Sequence, residues 1–165
     1  MKIISPLIFV LILAILQITV VSKIHIFGIR PNLVLIGIFI LFLNRKISNI
    51  LLGAVIGGLI YDLNDFYIGL NTLIFILMVL VFWFLGRRYI VGHNFLSLLI
   101  FGVLGTVFFN LLYASLSYLI FRYNFFDYCL SWRHFIEIGL NGLLTFVFGS
   151  LFLIIKKLKG HETQF

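Results

Sequence analysis

The chain has 165 residues and a net charge of +7; 63% of its residues are hydrophobic, 10% are charged, and its mean hydropathy is +1.23. Soluble domains average about 45–50% apolar and about 25% charged residues, and a small soluble fold leaves much of its chain facing water. The composition therefore excludes an ordinary soluble domain and predicts that lipid is the solvent for most of the protein. The 12 basic residues occur in ones and twos without forming a basic stripe, which argues against a nucleic-acid partner. The single cysteine, Cys129, excludes an internal disulfide and a cysteine-rich metal site.

Six apolar segments follow one another with short loops between them, at residues 3–21, 31–43, 47–61, 68–85, 95–121 and 134–155. A helix needs about 20 residues to cross ~30 Å of hydrocarbon, a length that the first, fourth, fifth and sixth segments reach. The second and third are shorter, so they are expected to tilt, to extend into polar flanks or to pair as a hairpin that barely crosses. The first segment has no small-x-small cleavage site and is predicted to be a retained span rather than a signal peptide. The predicted fold is a single all-α integral membrane domain, residues 1–165, with about six transmembrane helices.

The distribution of basic residues predicts the orientation of these segments, because short cytoplasmic loops are enriched in Lys and Arg. With the N terminus inside, the cytoplasmic side carries Lys2, Arg45, Lys46, Arg87, Arg88, Lys156, Lys157 and Lys159. The outer side carries Lys23, Arg30, Arg122 and Arg133, together with most of the acidic residues. Both termini are therefore predicted to be cytoplasmic. The aromatic loop from Arg122 to Arg133 suits either an interfacial belt or a docking patch for a partner.

The densest pattern of small residues lies in the third segment, where Gly53, Gly57 and Gly58 fall along one helical stripe. Such a stripe lets another backbone approach closely, either inside the bundle or on a partner's helix. Asp62 ends the segment, and Asp65 follows three residues later. A carboxylate there can order the turn into the next helix or pair with a cation or an arginine. Two acids three residues apart do not supply the oxygen shell that calcium requires.

Two further patterns are typical of helix starts. Gly69 allows a tight entry into the fourth segment, where Asn71 or Thr72 can cap the helix. Pro31 opens the second segment, since its missing N–H is no loss in a first turn, and Asn32 can act as the cap. Both patterns indicate local structure and do not identify a reaction.

Few polar residues lie inside the later spans. Asn110 and Asn141 either form hydrogen bonds across helices or, together with Tyr113, line a polar pocket for a small ligand. Glu137 lies four residues after Arg133, a spacing that predicts an interfacial salt bridge.

The sequence lacks the usual signatures of catalysis. It contains no H-x-x-x-H pair for zinc, no G-x-S-x-G nucleophile turn, no phosphate-binding loop and no pair of carboxylates inside a span. We therefore expect a protein that is not an enzyme and that has no metal or cofactor.

Read in chain order, these features resemble the MreD family, the small membrane subunit of the bacterial rod-shape machinery. The motifs that carry the resemblance are Leu16-Gln17, Phe27-Gly28, Arg30-Pro31-Asn32-Leu33, Arg45-Lys46, Gly53-x-x-x-Gly57-Gly58-Leu59-x-x-Asp62 and Gly69-Leu70-Asn71-x-Leu73. They cover about residues 10–86; beyond that range only the hydropathy is similar. Members of the family usually have Pro-Asp where this chain has Pro31-Asn32, so a role for a charge at that position is not carried over.

The resemblance implies a non-enzymatic protein of the bacterial cytoplasmic membrane that maintains cell shape. Its implied partners are an MreC-like protein, a RodA-type glycosyltransferase and a class B penicillin-binding transpeptidase, with an MreB-type filament acting indirectly. The partner or packing residues would be Pro31, Asn32, Gly53, Gly57, Gly58, Asp62, Gly69 and Asn71. The family is also similar in fold to the substrate-binding component of energy-coupling factor vitamin transporters. The alternative function is therefore solute binding, with Asn110, Tyr113 and Asn141 as the polar pocket.

Overall fold

Six α-helices make up the regular secondary structure of the residues that the computed structural model describes, which are 4–23, 28–43, 46–63, 68–89, 95–122 and 131–162. The helices are α1 (Ile4–Leu16), α2 (Leu33–Phe42), α3 (Ile47–Asp62), α4 (Leu70–Tyr89), α5 (Phe95–Phe121) and α6 (Trp132–Glu162). A π-helical turn, Gln17–Val21, continues α1. The prediction of an all-α fold is confirmed for this part of the chain, and each predicted segment corresponds to one helix.

Two of the helices contain stretches that are long and apolar enough to cross a membrane, Leu98–Ile120 in α5 and Trp132–Ile155 in α6. The other apolar stretches are shorter, at Leu7–Val21, Leu33–Phe42, Ile47–Asp62 and Leu70–Leu85. The helix α4 extends to Tyr89, but its apolar stretch ends at Leu85, before the adjacent residues Arg87 and Arg88. Length and composition therefore identify two candidate spans in the described residues, where the sequence predicted about six.

The short helix α2 lies at the centre of the bundle and packs against α1, α3, α5 and α6. Every residue from Val34 to Leu41 is buried, so α2 is enclosed on all its faces by the other helices. Around it, α3 also packs on α1 and on α4, α4 packs on α5, and α5 packs on α6. A continuous apolar run with no polar face suits this enclosed position.

Helices that follow one another along the chain run antiparallel, and their contacts fix which ends meet. In the pair α2 and α3, Gly53 lies against Leu41 and Gly57 lies against Val34. In the pair α5 and α6, Gly102 lies against Thr145. As a result, α1, α3 and α5 finish at the same end of the bundle at which α2, α4 and α6 begin.

Candidate functional site at the polar end of the bundle

Six buried side chains that carry an amide or a carboxylate lie toward the end where α2, α4 and α6 begin, and we call this region the polar end. Its members are Gln17, Asn32, Asp62, Asn71, Asn110 and Asn141. They come from the turn that continues α1, from the N-cap of α2, and from α3, α4, α5 and α6. Because buried polar groups are costly unless they are hydrogen-bonded, the contacts of these side chains indicate what the region does.

Asp62 is wholly buried at the end of α3, and its carboxylate holds the first turn of α4. Oδ1 accepts a hydrogen bond from the Asn71 N–H at 2.9 Å, while Oδ2 accepts from the N–H groups of Gly69 and Thr72 at 3.0 and 3.1 Å. The Thr72 hydroxyl also donates to Oδ2, at 2.5 Å. The first N–H groups of a helix have no partner within the helix and carry partial positive charge, so a carboxylate placed there is well matched.

The carboxylate of Asp62 therefore orders the turn into the next helix, which is one of the roles predicted for it. The prediction that Asn71 or Thr72 would cap α4 with its own side chain is wrong for Thr72, whose hydroxyl donates to Asp62 instead. The capping acceptor lies eight residues before the helix and reaches it because Gly69 adopts a φ of +96°, which favours glycine. Asp65 lies outside the described residues.

The N terminus of α2 is held by side chains from three different parts of the chain. Asn32 is the N-cap, as predicted, and its Oδ1 accepts from the Leu35 N–H at 3.0 Å. Gln17 Oε1, from the π-helical turn, accepts from the Leu33 N–H at 2.7 Å. Asn141 Oδ1, from α6, accepts from the Asn32 N–H at 2.9 Å. Pro31 is buried immediately before this cap. The cap therefore joins α1, α2 and α6.

We expect Gln17→Met to lower the free energy of unfolding by about 1–2 kcal/mol, because the partly buried Leu33 N–H would lose its acceptor while the side-chain volume stays similar. Chemical denaturation of the purified protein in detergent, followed by circular dichroism, measures the change. Thr19→Val is the matched control, since the exposed Thr19 hydroxyl bonds only to the Ile15 carbonyl within the same helix. Equal stability of the Gln17 variant and the wild type would show that this bond does not matter.

Asn110 and Asn141 both form hydrogen bonds across helices, which is one of the two roles predicted for them. They do so with different partners, since Asn110 Nδ2 donates to Glu137 Oε2 at 3.4 Å and Asn141 binds α2. The Tyr113 ring stacks on Phe109, with 6.4 Å between the ring centroids. The proposed pocket residues therefore lie on neighbouring faces of α5 and α6, where two of them already hold helices together.

The predicted salt bridge between Glu137 and Arg133 is wrong. Glu137 Oε2 instead lies 3.3 Å from Nδ1 of His134, and it also accepts the hydrogen bond from Asn110. Arg133 is exposed. The i, i+3 spacing directs His134 toward α5 together with Glu137, and that spacing is the sequence signal that could have identified the pair.

The glycine stripe of α3 is occupied by helices of the same chain. A Cβ on Gly53 would lie 2.7 Å from Leu41 Cδ1, and one on Gly57 would lie 2.6 Å from Val34 Cγ1. A Cβ on Gly58 would lie 2.5 Å from the backbone Cα of Thr72. Of the two roles left open for the stripe, these contacts support packing inside the bundle.

Some predicted features lie outside the described residues, among them the aromatic loop at residues 123–130. Within the described part of the chain, no group of three or more His, Cys, Asp or Glu residues is placed to hold a metal ion. Comparison of the chain with protein-family models, with curated proteins and with solved structures gives no match. The contacts described at the polar end are hydrogen bonds that join one helix to another.

Proposed function

We propose that this chain is a multi-pass protein of the bacterial cytoplasmic membrane that serves as a non-enzymatic scaffold for cell-wall synthesis during elongation. The observation that supports this role best is the set of bonds at the polar end, where the side chains of Asp62, Asn110 and Asn141 each hold one helix to another. A scaffold requires a fixed arrangement of helices whose outer faces bind lipid and partner helices. The identity of the partners rests on the resemblance to MreD.

A membrane location is supported by the large apolar side chains on the outer faces of the bundle. More than 40% of the side-chain surface is exposed at Ile12 in α1, Leu59 in α3, Leu80 in α4, Leu104 in α5 and Leu143 in α6. Water would disfavour so many exposed apolar groups, whereas lipid accommodates them. At 1.5 Å per residue, the 23 residues of the apolar stretch Leu98–Ile120 extend about 35 Å, which exceeds the ~30 Å hydrocarbon core.

We propose that the other helices also lie within the membrane, giving about six membrane-embedded helices. With only 10 residues, α2 extends about 15 Å and cannot cross alone. Because α1, α3, α5 and α6 enclose α2, the ends of this short helix face protein and not lipid. Protein groups can therefore form the hydrogen bonds that the backbone N–H and C=O groups at its ends require. The side chains of Gln17, Asn32 and Asn141 provide such groups.

The proposed orientation places both termini and the basic turns in the cytoplasm and the polar end toward the outside. It predicts that cysteines introduced at Lys46 and Lys157, both exposed, will react with a membrane-impermeant maleimide only after the cells are opened. Cysteines at Lys23 and Arg133, also exposed, will react in intact spheroplasts. Replacing Cys129 with Ser provides the background. The opposite pattern of labelling would reverse the orientation.

The implied partners are an MreC-like protein, a RodA-type glycosyltransferase and a class B penicillin-binding transpeptidase. We expect an MreC-like protein and these synthases to co-purify with the tagged chain from native membranes in mild detergent, as identified by mass spectrometry. Recovery of an ATPase module, or of a vitamin at a near-unit ratio, would instead support the solute-binding component of an energy-coupling factor transporter. The present contacts favour the scaffold, since Asn110 and Asn141 bond to other helices.

The substitution Gly57→Leu distinguishes between two roles of this glycine, packing inside the helix bundle and binding of a partner protein. The Gly57 Cα faces Val34 and Val10 of the same chain, so we expect Gly57→Leu to disturb the bundle itself. Circular dichroism and gel filtration of the purified variant must therefore accompany any loss of co-purification. Normal folding with a selective loss of the MreC-like protein would place Gly57 at the partner interface instead.

A further inference from the structure

Two side-chain amides at the N terminus of α2 have orientations that are fixed by their oxygens. Oδ1 of Asn141 accepts from the Asn32 N–H at 2.9 Å, and Oδ1 of Asn32 accepts from the Leu35 N–H at 3.0 Å. Turning either amide over would replace an acceptor by a donor and would place two donors against each other. Each Nδ2 therefore points away from the backbone N–H that its own oxygen binds.

Both of these Nδ2 atoms are buried, and neither has an acceptor among the described protein groups. The exposed fractions of Asn32 and Asn141 are 1% and 0%, so bulk water does not reach them. Buried donors are almost always hydrogen-bonded to protein or to ordered water. The two donors belong to residues in direct contact, since the Asn141 side chain binds the Asn32 backbone N–H, and this proximity indicates a common acceptor.

We propose that one bound water molecule occupies this position and accepts hydrogen bonds from Nδ2 of Asn32 and Nδ2 of Asn141. Buried waters are held by two to four polar groups, which these amides supply. The partial positive charge at the start of α2 also favours an acceptor oxygen there. Because both side chains are enclosed, the carbonyl of a larger solute would reach them only if α6 moved away from α2.

The water would act as a second link between α2 and α6, beside the direct bond from the Asn32 N–H to Asn141. This inference is independent of the proposed function, since it requires neither a partner protein nor a transported solute. It assigns to Asn32 and Asn141 a second role beyond their capping bonds.

The test is a water-selective nuclear Overhauser experiment on the full-length ¹⁵N-labelled protein in perdeuterated detergent micelles. Asn32→Asp and Asn141→Asp each remove one Nδ2 signal while keeping the capping oxygen, and so assign the two side-chain amides. We expect cross-peaks between the water resonance and both amides. The Ile38 N–H, which is buried in the middle of α2, is expected to give none.

A hydroxyl that exchanges with water could imitate this result, and Thr145 lies close enough to do so because its Oγ1 donates to the Asn141 carbonyl at 2.7 Å. Cross-peaks that persist in Thr145→Val support the bound water, and their loss in that variant overturns it. A cross-peak at only one amide, or at neither, also overturns the shared water. Cross-peaks from these amides to a proton of a bound organic molecule would overturn the water and show that an organic acceptor occupies the position.

Discussion

Replacing Asp62 with alanine is expected to lower the free energy of unfolding by about 3 kcal/mol or more. Three backbone N–H groups and the Thr72 hydroxyl donate to its carboxylate, and hydrogen bonds to a charged acceptor contribute about 1.5–3 kcal/mol each without being additive. The site is buried, so water does not replace the lost acceptor. Denaturation in detergent, followed by tryptophan fluorescence, measures the change.

Two milder substitutions make this prediction specific to the carboxylate. Thr72→Val removes one donor and is expected to cost about 1 kcal/mol. Asp62→Asn keeps one acceptor oxygen but turns a donor toward a backbone N–H, so its effect should lie between those of the other two variants. If all three variants lost the same stability, the loss would arise from packing and not from the number of hydrogen bonds.

The second large effect is expected at Gly105, where α5 lies against the Phe39 side chain of the central helix. A Cβ there would lie 1.8 Å from Cζ of Phe39 and within 2.7 Å of two further atoms of that ring. The ring of Phe39 is enclosed by Phe42, Phe82 and Phe101, whose centroids lie 5.8–6.4 Å away. It therefore has little room to move, and Gly105→Ala should lower stability by about 1–3 kcal/mol through overpacking.

Gly139 supplies the matched control, because it also lies within a long helix but has open space around its Cα. Gly139→Ala should leave stability unchanged or raise it by up to about 1 kcal/mol, since alanine restricts the unfolded backbone and favours a helix. Thermal unfolding of both variants in the same detergent compares them. A similar loss at both positions would mean that glycine is needed for helix flexibility and not for close packing.

Local features of the polar end could be predicted from the sequence, because their partners lie nearby along the chain. Asn32 acts as the N-cap of α2, and Asp62 orders the entry to α4. Both follow from the spacing between a short polar side chain and a helix start. The six segments were likewise visible from hydropathy alone.

Distant partners could not be predicted in the same way. The bond from the Asn32 N–H to Asn141 joins residues 109 positions apart, and a single sequence does not indicate which amide of α6 meets which helix. The central position of α2 also could not be predicted, because a short apolar run has the same sequence pattern whether lipid or protein surrounds it. For Glu137 two basic neighbours were available, and burial against α5 selected His134.

The long-range cap on α2 has a consequence for the order of events during synthesis. Asn141 follows Asn32 by 109 positions in the chain. Because the ribosome makes about 5–20 residues per second, this separation corresponds to about 5–20 s of translation. Throughout that interval Gln17, which accepts from the Leu33 N–H, has already been made, whereas Asn141, the acceptor for the Asn32 N–H, has not. The cap on the central helix is thus completed only after α6 has been made, so a nascent chain that stops before α6 holds α2 without its Asn141 acceptor.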